Sequence, residues 1–123
     1  MEKIKNFTEL VVWQRGHGLV LDIYKITDHF PSQEVFALTN QLRRAAVSIT
    51  SNIAEGFTRK TYKEKMQFYF TALGSLSEVQ NQLLIARDLD YLKIDLYNRM
   101  TSTSIEVSKM LNGLIKVIKS ANS

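Results

Sequence analysis

The chain of 123 residues contains no cysteine, which removes disulfides, thiol nucleophiles and Cys-ligated zinc from consideration. That absence fits a reducing, cytoplasmic setting. One proline and five glycines are all that interrupt the chain, so long regular elements are open to most of it. No apolar run approaches the ~20 residues that a membrane span needs. The opening residues, Met1-Glu2-Lys3-Ile4-Lys5-Asn6, lead into a charge-interrupted segment, which is not the pattern of a secretory signal. Histidine is scarce too: only His17 and His29 occur, and neither belongs to the Glu-x-x-His pairs that a di-iron carboxylate bundle requires.

What remains is helical periodicity, four times over. The length bounds a single domain over 1–123 that buries roughly two-thirds of its unfolded surface. A first helix is expected from about Glu9 to His29, capped by Thr8, with Trp13, Gly16, Val20, Ile23, Tyr24 and Thr27 on one face and Phe30-Pro31-Ser32 ending it. A second is expected from Gln33 to Thr58, capped by Ser32. The third follows Thr61-Tyr62-Lys63-Glu64, a capping-box sequence, and buries Tyr69, Ala72, Leu73, Leu76, Val79, Leu83 and Ala86. The fourth runs from Lys93–Asp95 to Lys119 and buries Leu96, Met100, Val107, Leu111, Leu114, Ile115 and Ile118. No strand-like alternation competes. Long helices joined by short turns predict an all-α, antiparallel up-down-up-down four-helix bundle.

The second helix is the most specific. Leu38, Leu42, Ala45, Ile49, Ile53 and Gly56 form its core stripe, and Gln41, Ser48, Asn52, Glu55 and Arg59 line one edge. Ser75, Glu78 and Gln82 are the counterpart on the third helix. A hairpin turning near Lys60 brings Ser48 to Ser75 and Gln41 to Glu78 and Gln82, as a polar network that fixes register or as a small polar pocket. Eight apolar residues fall off the core stripes: Val11, Leu21, Phe36, Val47, Phe70, Ile85, Ile105 and Met110. Their number predicts a homo-oligomer.

Order and spacing over nearly the whole chain carry a family likeness. It begins at Phe7-Thr8-Glu9-Leu10-Val11-Val12-Trp13-Gln14. Its strongest block is Leu38-Thr39-Asn40-Gln41-Leu42-Arg43-Arg44-Ala45-Ala46-Val47-Ser48-Ile49, followed by Ser51-Asn52-Ile53-Ala54-Glu55-Gly56 and Arg59. On the third helix it rests on Phe68, Ala72, Gly74-Ser75-Leu76, Glu78, Gln82 and Leu83. The chain resembles the bacterial four-helix-bundle proteins of the 23S rRNA intervening-sequence protein family, which include relatives of the accessory variability determinant of diversity-generating retroelements. Departures are few: Thr50 stands where the family often has Pro, and Gly16-His17-Gly18 replaces an alanine-containing stretch. The resemblance implies a cytoplasmic, ribosomal-protein-like bacterial bundle assembled as a ring-shaped pentamer. It also implies a basic surface of the kind with which the retroelement relatives bind a reverse transcriptase and its template RNA.

The sequence offers Arg43, Arg44, Arg59, Lys60 and Lys63, with Lys65, as that surface. Sixteen Lys and Arg against twelve Asp and Glu leave a net charge of +4. Arg43 and Arg44 sit mid-helix, where a helix dipole gives no reason for them, whereas Arg59 and Lys60 also suit a helix C-terminus. Lys116 and Lys119 appear remote from this group and serve as its control. The expectation is a non-catalytic scaffold that binds RNA or an RNA-bound protein such as a reverse transcriptase or ribosomal component. The alternative is a protein-binding adaptor in which the arginines pair with a partner or a neighbouring subunit. No metal, cofactor, membrane or small-molecule substrate is called for. Glu55 and Glu78 are the only carboxylates that invite an acid–base reading, and no nucleophile or phosphate loop accompanies them.

Overall fold

Four helices carry the fold of residues 3–122, the part of the chain that the computed structural model describes. They are α1 (Val11–Thr27), α2 (Leu38–Thr58), α3 (Tyr62–Asp88) and α4 (Ile94–Ala121). Each packs on its chain neighbour and α4 closes back on α1, while the diagonal pairs stay apart among the described residues. Residue pairs fix the directions. Along α1, Gly16 faces Thr50, while Thr27, further on, meets the earlier Arg43. Across α2 and α3, Ser48 bonds Ser75 while Gly56 lies against Tyr69. Between α1 and α4, Arg15 pairs with Glu106 and Asp22 with Arg99. Numbers rise on one helix as they fall on the other, so neighbours are antiparallel and the bundle runs up-down-up-down.

The core is a single cluster in which Leu19, Ile23, Leu42, Ile49, Ile53, Leu83, Val107 and Leu111 are fully buried. Burying each large aliphatic side chain contributes about 1.5–3 kcal/mol. Gly56 sets the α2–α3 distance: a Cβ there would stand 2.5 Å from Tyr69 Cε1.

Helix ends depart from the sequence reading. Thr8 does not cap α1. Asn6 does the capping, one turn earlier, for a 3-10 turn over Phe7–Glu9, accepting from Thr8 N at 2.9 Å while Glu9 accepts from Asn6 N at 3.1 Å. The helix α1 then starts at Val11 and stops at Thr27, short of His29. Nor does Ser32 cap α2. Residues Ser32–Glu34 form a second 3-10 turn, and the carboxylate of Glu34 accepts from Leu38 N at 3.3 Å, so α2 begins five residues later than the periodicity suggests. The other Glu34 oxygen accepts from the Tyr91 hydroxyl at 2.9 Å and raises its pKa, tying this connection to the α3–α4 turn.

Two positions expected in the core are at the surface, Tyr24 and Leu96, and Tyr62 at the start of α3 is exposed as well. Of the eight off-core apolar residues, seven are exposed, Phe36 at 95%, whereas Met110 packs partly against the core.

Candidate nucleic-acid interface

The α2–α3 polar seam forms about Ser48 and Ser75, whose hydroxyls lie 2.8 Å apart. Asn52 Nδ2 donates to Ser48 O at 2.8 Å and to its Oγ at 3.1 Å, and Ser75 Oγ donates to Thr71 O at 3.2 Å. These bonds satisfy polar groups that close helix packing would otherwise strand. Further up, Gln41, Glu78 and Gln82 line one shallow groove with Arg44, as the register implies, but no hydrogen bond joins them. The buried Gln82 Oε1 has no partner among the described residues. Glu55 leaves the network altogether. It pairs with Arg59 at 2.8 Å, one turn on, and stands level with Phe68, beneath the Arg59 guanidinium. It is therefore about 15 Å along the axis from Glu78, at 1.5 Å per residue, too far for an acid–base pair. Among the described residues no three His, Cys, Asp or Glu side chains group as metal ligands.

The five sequence-selected basic residues separate into two sets. Arg43 turns inward across α1: it donates to Thr27 Oγ1 at 2.8 Å, pairs with Asp28 at 2.9 Å, and its guanidinium stacks over Tyr24 at 4.7 Å. Arg59 is held by Glu55 and Phe68. Lys65 is also committed, donating at the end of α2 to Gly56 O at 3.2 Å, which Arg59 N also reaches, and to Phe57 O at 2.8 Å. Partial burial lowers its pKa. Arg44, Lys60 and Lys63 are exposed and keep no intramolecular partner among the described residues.

The antiparallel register reveals a set that the sequence reading missed. The end of α4 lies level with the α2–α3 turn, and Lys60, Tyr62 and Lys65 share a cleft with Leu114, Val117 and Ala121. Lys116 and Lys119 therefore belong to the same end of the bundle as Lys60 and Lys63, rather than standing apart from them. In that half lie Lys3, Lys5, Arg15, Arg59, Lys60, Lys63, Lys65, Lys109, Lys116 and Lys119, against Glu9, Glu55, Glu64 and Glu106. In the other half Lys25, Arg43, Arg44, Arg87, Lys93 and Arg99 face Asp22, Asp28, Glu34, Glu78, Asp88, Asp90 and Asp95. The whole positive surplus sits at one pole. The signal was available: extending the hairpin register from α3 to α4 places the lysines.

The sequence profile of the family described as 23S rRNA-intervening sequence protein matches residues 8–113. Among solved structures, a protein of unknown function from the S23 ribosomal protein family of Bacteroides thetaiotaomicron superposes with a TM-score of 0.80. The two are 21% identical, over 86% of this chain and 96% of the other, a likeness of fold. No curated protein matches the chain. Among the described residues, no helix is long and apolar enough to cross a membrane.

Proposed function

The chain belongs to the 23S rRNA-intervening sequence protein family, and we propose that it is a non-catalytic, oligomeric scaffold whose basic pole associates with RNA. The observation that carries this reading is the one-ended charge. Surplus cations spread evenly serve solubility, whereas cations gathered at one end, with Lys60 and Lys63 unpaired, create a field that phosphates enter. Tyr62 stands exposed among them and offers a ring on which an unpaired base stacks. Arg43 supports the scaffold from inside.

Assembly rests on α3. Between Lys65 and Arg87 its outward face carries Gln67, Phe70, Gly74, Ser77, Asn81, Leu84 and Ile85, with Glu78 as the one charge. Phe70 is 52% exposed, and the surface around it is suited to burial against another copy. The family likeness makes a cytoplasmic ring of five the form to test. Light scattering on the wild type should give a multiple of 14.1 kDa. Phe70→Glu with Leu84→Glu should reduce it to the monomer.

The decisive measurement is fluorescence anisotropy of a labelled single-stranded RNA across a salt series. Affinity should fall with a log–log slope of roughly −0.7 per phosphate neutralised. Lys60→Glu with Lys63→Glu, and Lys116→Glu with Lys119→Glu, should each weaken binding about tenfold or more. Arg99→Glu, at the other pole, should change it little. Equal losses from both poles, or no binding even at low salt, would reject the RNA reading. The latter outcome would favour a protein adaptor that uses the α2–α3 groove, where Arg44, Glu78 and Gln82 Oε1 have no partner among the described residues.

A further inference from the structure

At the acidic pole, one cleft runs against the local charge. It lies between the last turn of α1 and the α3–α4 connection, with a volume of about 460 Å³. Ile26 and Leu92, at 8% and 5% exposure, form its floor, and Leu96 forms one wall. Lys25, His29 and Lys93 stand around it, and no carboxylate lines it. None of these three has an intramolecular partner among the described residues.

Lys25 alone has an ordinary explanation, since a cation in the last turn of α1 complements that helix dipole. Lys93 has none. It is the N-cap of α4, where the dipole is positive, where a cation is disfavoured, and where a side-chain acceptor is the usual occupant. It provides no capping bond. Asp95, the acidic residue of that first turn, is outside the cleft. The cleft thus joins two lysines and the positive end of α4 over an apolar floor.

The floor is well anchored. Asp90 takes a left-handed conformation at φ 61°, Tyr91 N donates back to Ala86 O at 2.9 Å, and the Tyr91 hydroxyl is held by Glu34. The turn that presents Leu92 and Lys93 is therefore fixed from both sides.

We propose that this cleft binds a small organic anion with an apolar body, its carboxylate or phosphate drawn to Lys25, Lys93 and the α4 N-terminus and its hydrocarbon or ring on Ile26, Leu92 and Leu96. A cavity of this size and apolar lining, with a few convergent polar groups, is the usual form of a small-ligand site. The site is at the pole away from the RNA-binding lysines and does not depend on the RNA reading.

Titration with 8-anilinonaphthalene-1-sulfonate, an apolar anion that fluoresces on desolvation, tests it on the full chain. Octanoate should displace the dye, whereas octylammonium and octanol should not. Lys25→Gln with Lys93→Gln should lower dye affinity about tenfold, and Leu96→Gln, an exposed position, severalfold. Lys60→Gln with Lys63→Gln should leave it unchanged. Displacement by octanol or octylammonium as effective as by octanoate would overturn the proposal, as would unaltered affinity in the Lys25/Lys93 variant. Equal loss from the Lys60/Lys63 variant would do the same. Vesicles of anionic phospholipid distinguish the source of the anion: competition with octanoate on the same lysines assigns a lipid headgroup, and its absence assigns a free metabolite.

Discussion

Arg43 of α2 donates to the buried hydroxyl of Thr27 on α1 at 2.8 Å. The Asp28 pair beside it involves a carboxylate that is 75% exposed, so it contributes little alone. The hydroxyl bond and the stack on Tyr24 matter more. Arg43→Ala should lower unfolding stability by about 1–2 kcal/mol in urea titrations. Arg44→Ala, with no internal partner, should stay within about 0.5 kcal/mol. RNA affinity lost in Arg43→Ala at unchanged stability would refute this division between the two arginines.

Gly56→Ala should destabilise by about 1–3 kcal/mol, because the Tyr69 ring occupies the place of the new methyl and must shift with α3. Gly113→Ala, on the open face of α4 with nothing within 4 Å, should instead gain up to about 1 kcal/mol from helix propensity. Thermal melts of the two variants should move in opposite directions.

The α3–α4 turn ends α3 with Asp90 in the left-handed region, where Asn or Gly is the usual choice. Tyr91 N bonds Ala86 O and Asp90 N bonds Arg87 O, which fixes that conformation. Asp90→Gly should raise stability by about 0.5–1 kcal/mol. A fall would mean that the carboxylate has a role beyond the turn.

Alkaline stability turns on Tyr69, whose pKa burial pushes up to about 12 from 10.0. The folded state holds this proton more tightly than the unfolded chain does. Its contribution is therefore complete below pH 10 and is lost as pH rises towards 12. Urea midpoints measured over that interval should decline less steeply for Tyr69→Phe than for wild type. Parallel declines would assign the loss to the lysines and the other tyrosines, Tyr91 among them.

Periodicity gave the four helices and most of the core because burial repeats with the helical turn. The Ser48–Ser75 contact was legible too, since a short turn leaves an antiparallel hairpin little freedom of register. Capping was harder to read. Glu34 caps α2 from a separate turn and Asn6 caps a turn before α1, so the nearest hydroxyl residue was the wrong choice in both cases. Arg43 looked free because its partners, Thr27 and Asp28, belong to another helix. Tyr24 looked buried because a wheel shows the face of a helix and not the width of the neighbour covering it. The basic pole needed all four directions at once, which no single segment contains.

The α2–α3 contact is the most extensive in the bundle, and only residues 59–61 connect the two helices. Closing so short a loop has a small entropic cost, so this hairpin is the natural nucleus of folding. The Gly56–Tyr69 and Ser48–Ser75 contacts should then form before α1 and α4 are placed, and changes there should slow folding. The exposed Arg15–Glu106 and Asp22–Arg99 pairs join segments some 75 residues or more apart in the chain, so they should form late, and their loss should act mainly on unfolding and only slightly. During synthesis the hairpin leaves the ribosome ahead of α4 and offers that helix a surface on which to close.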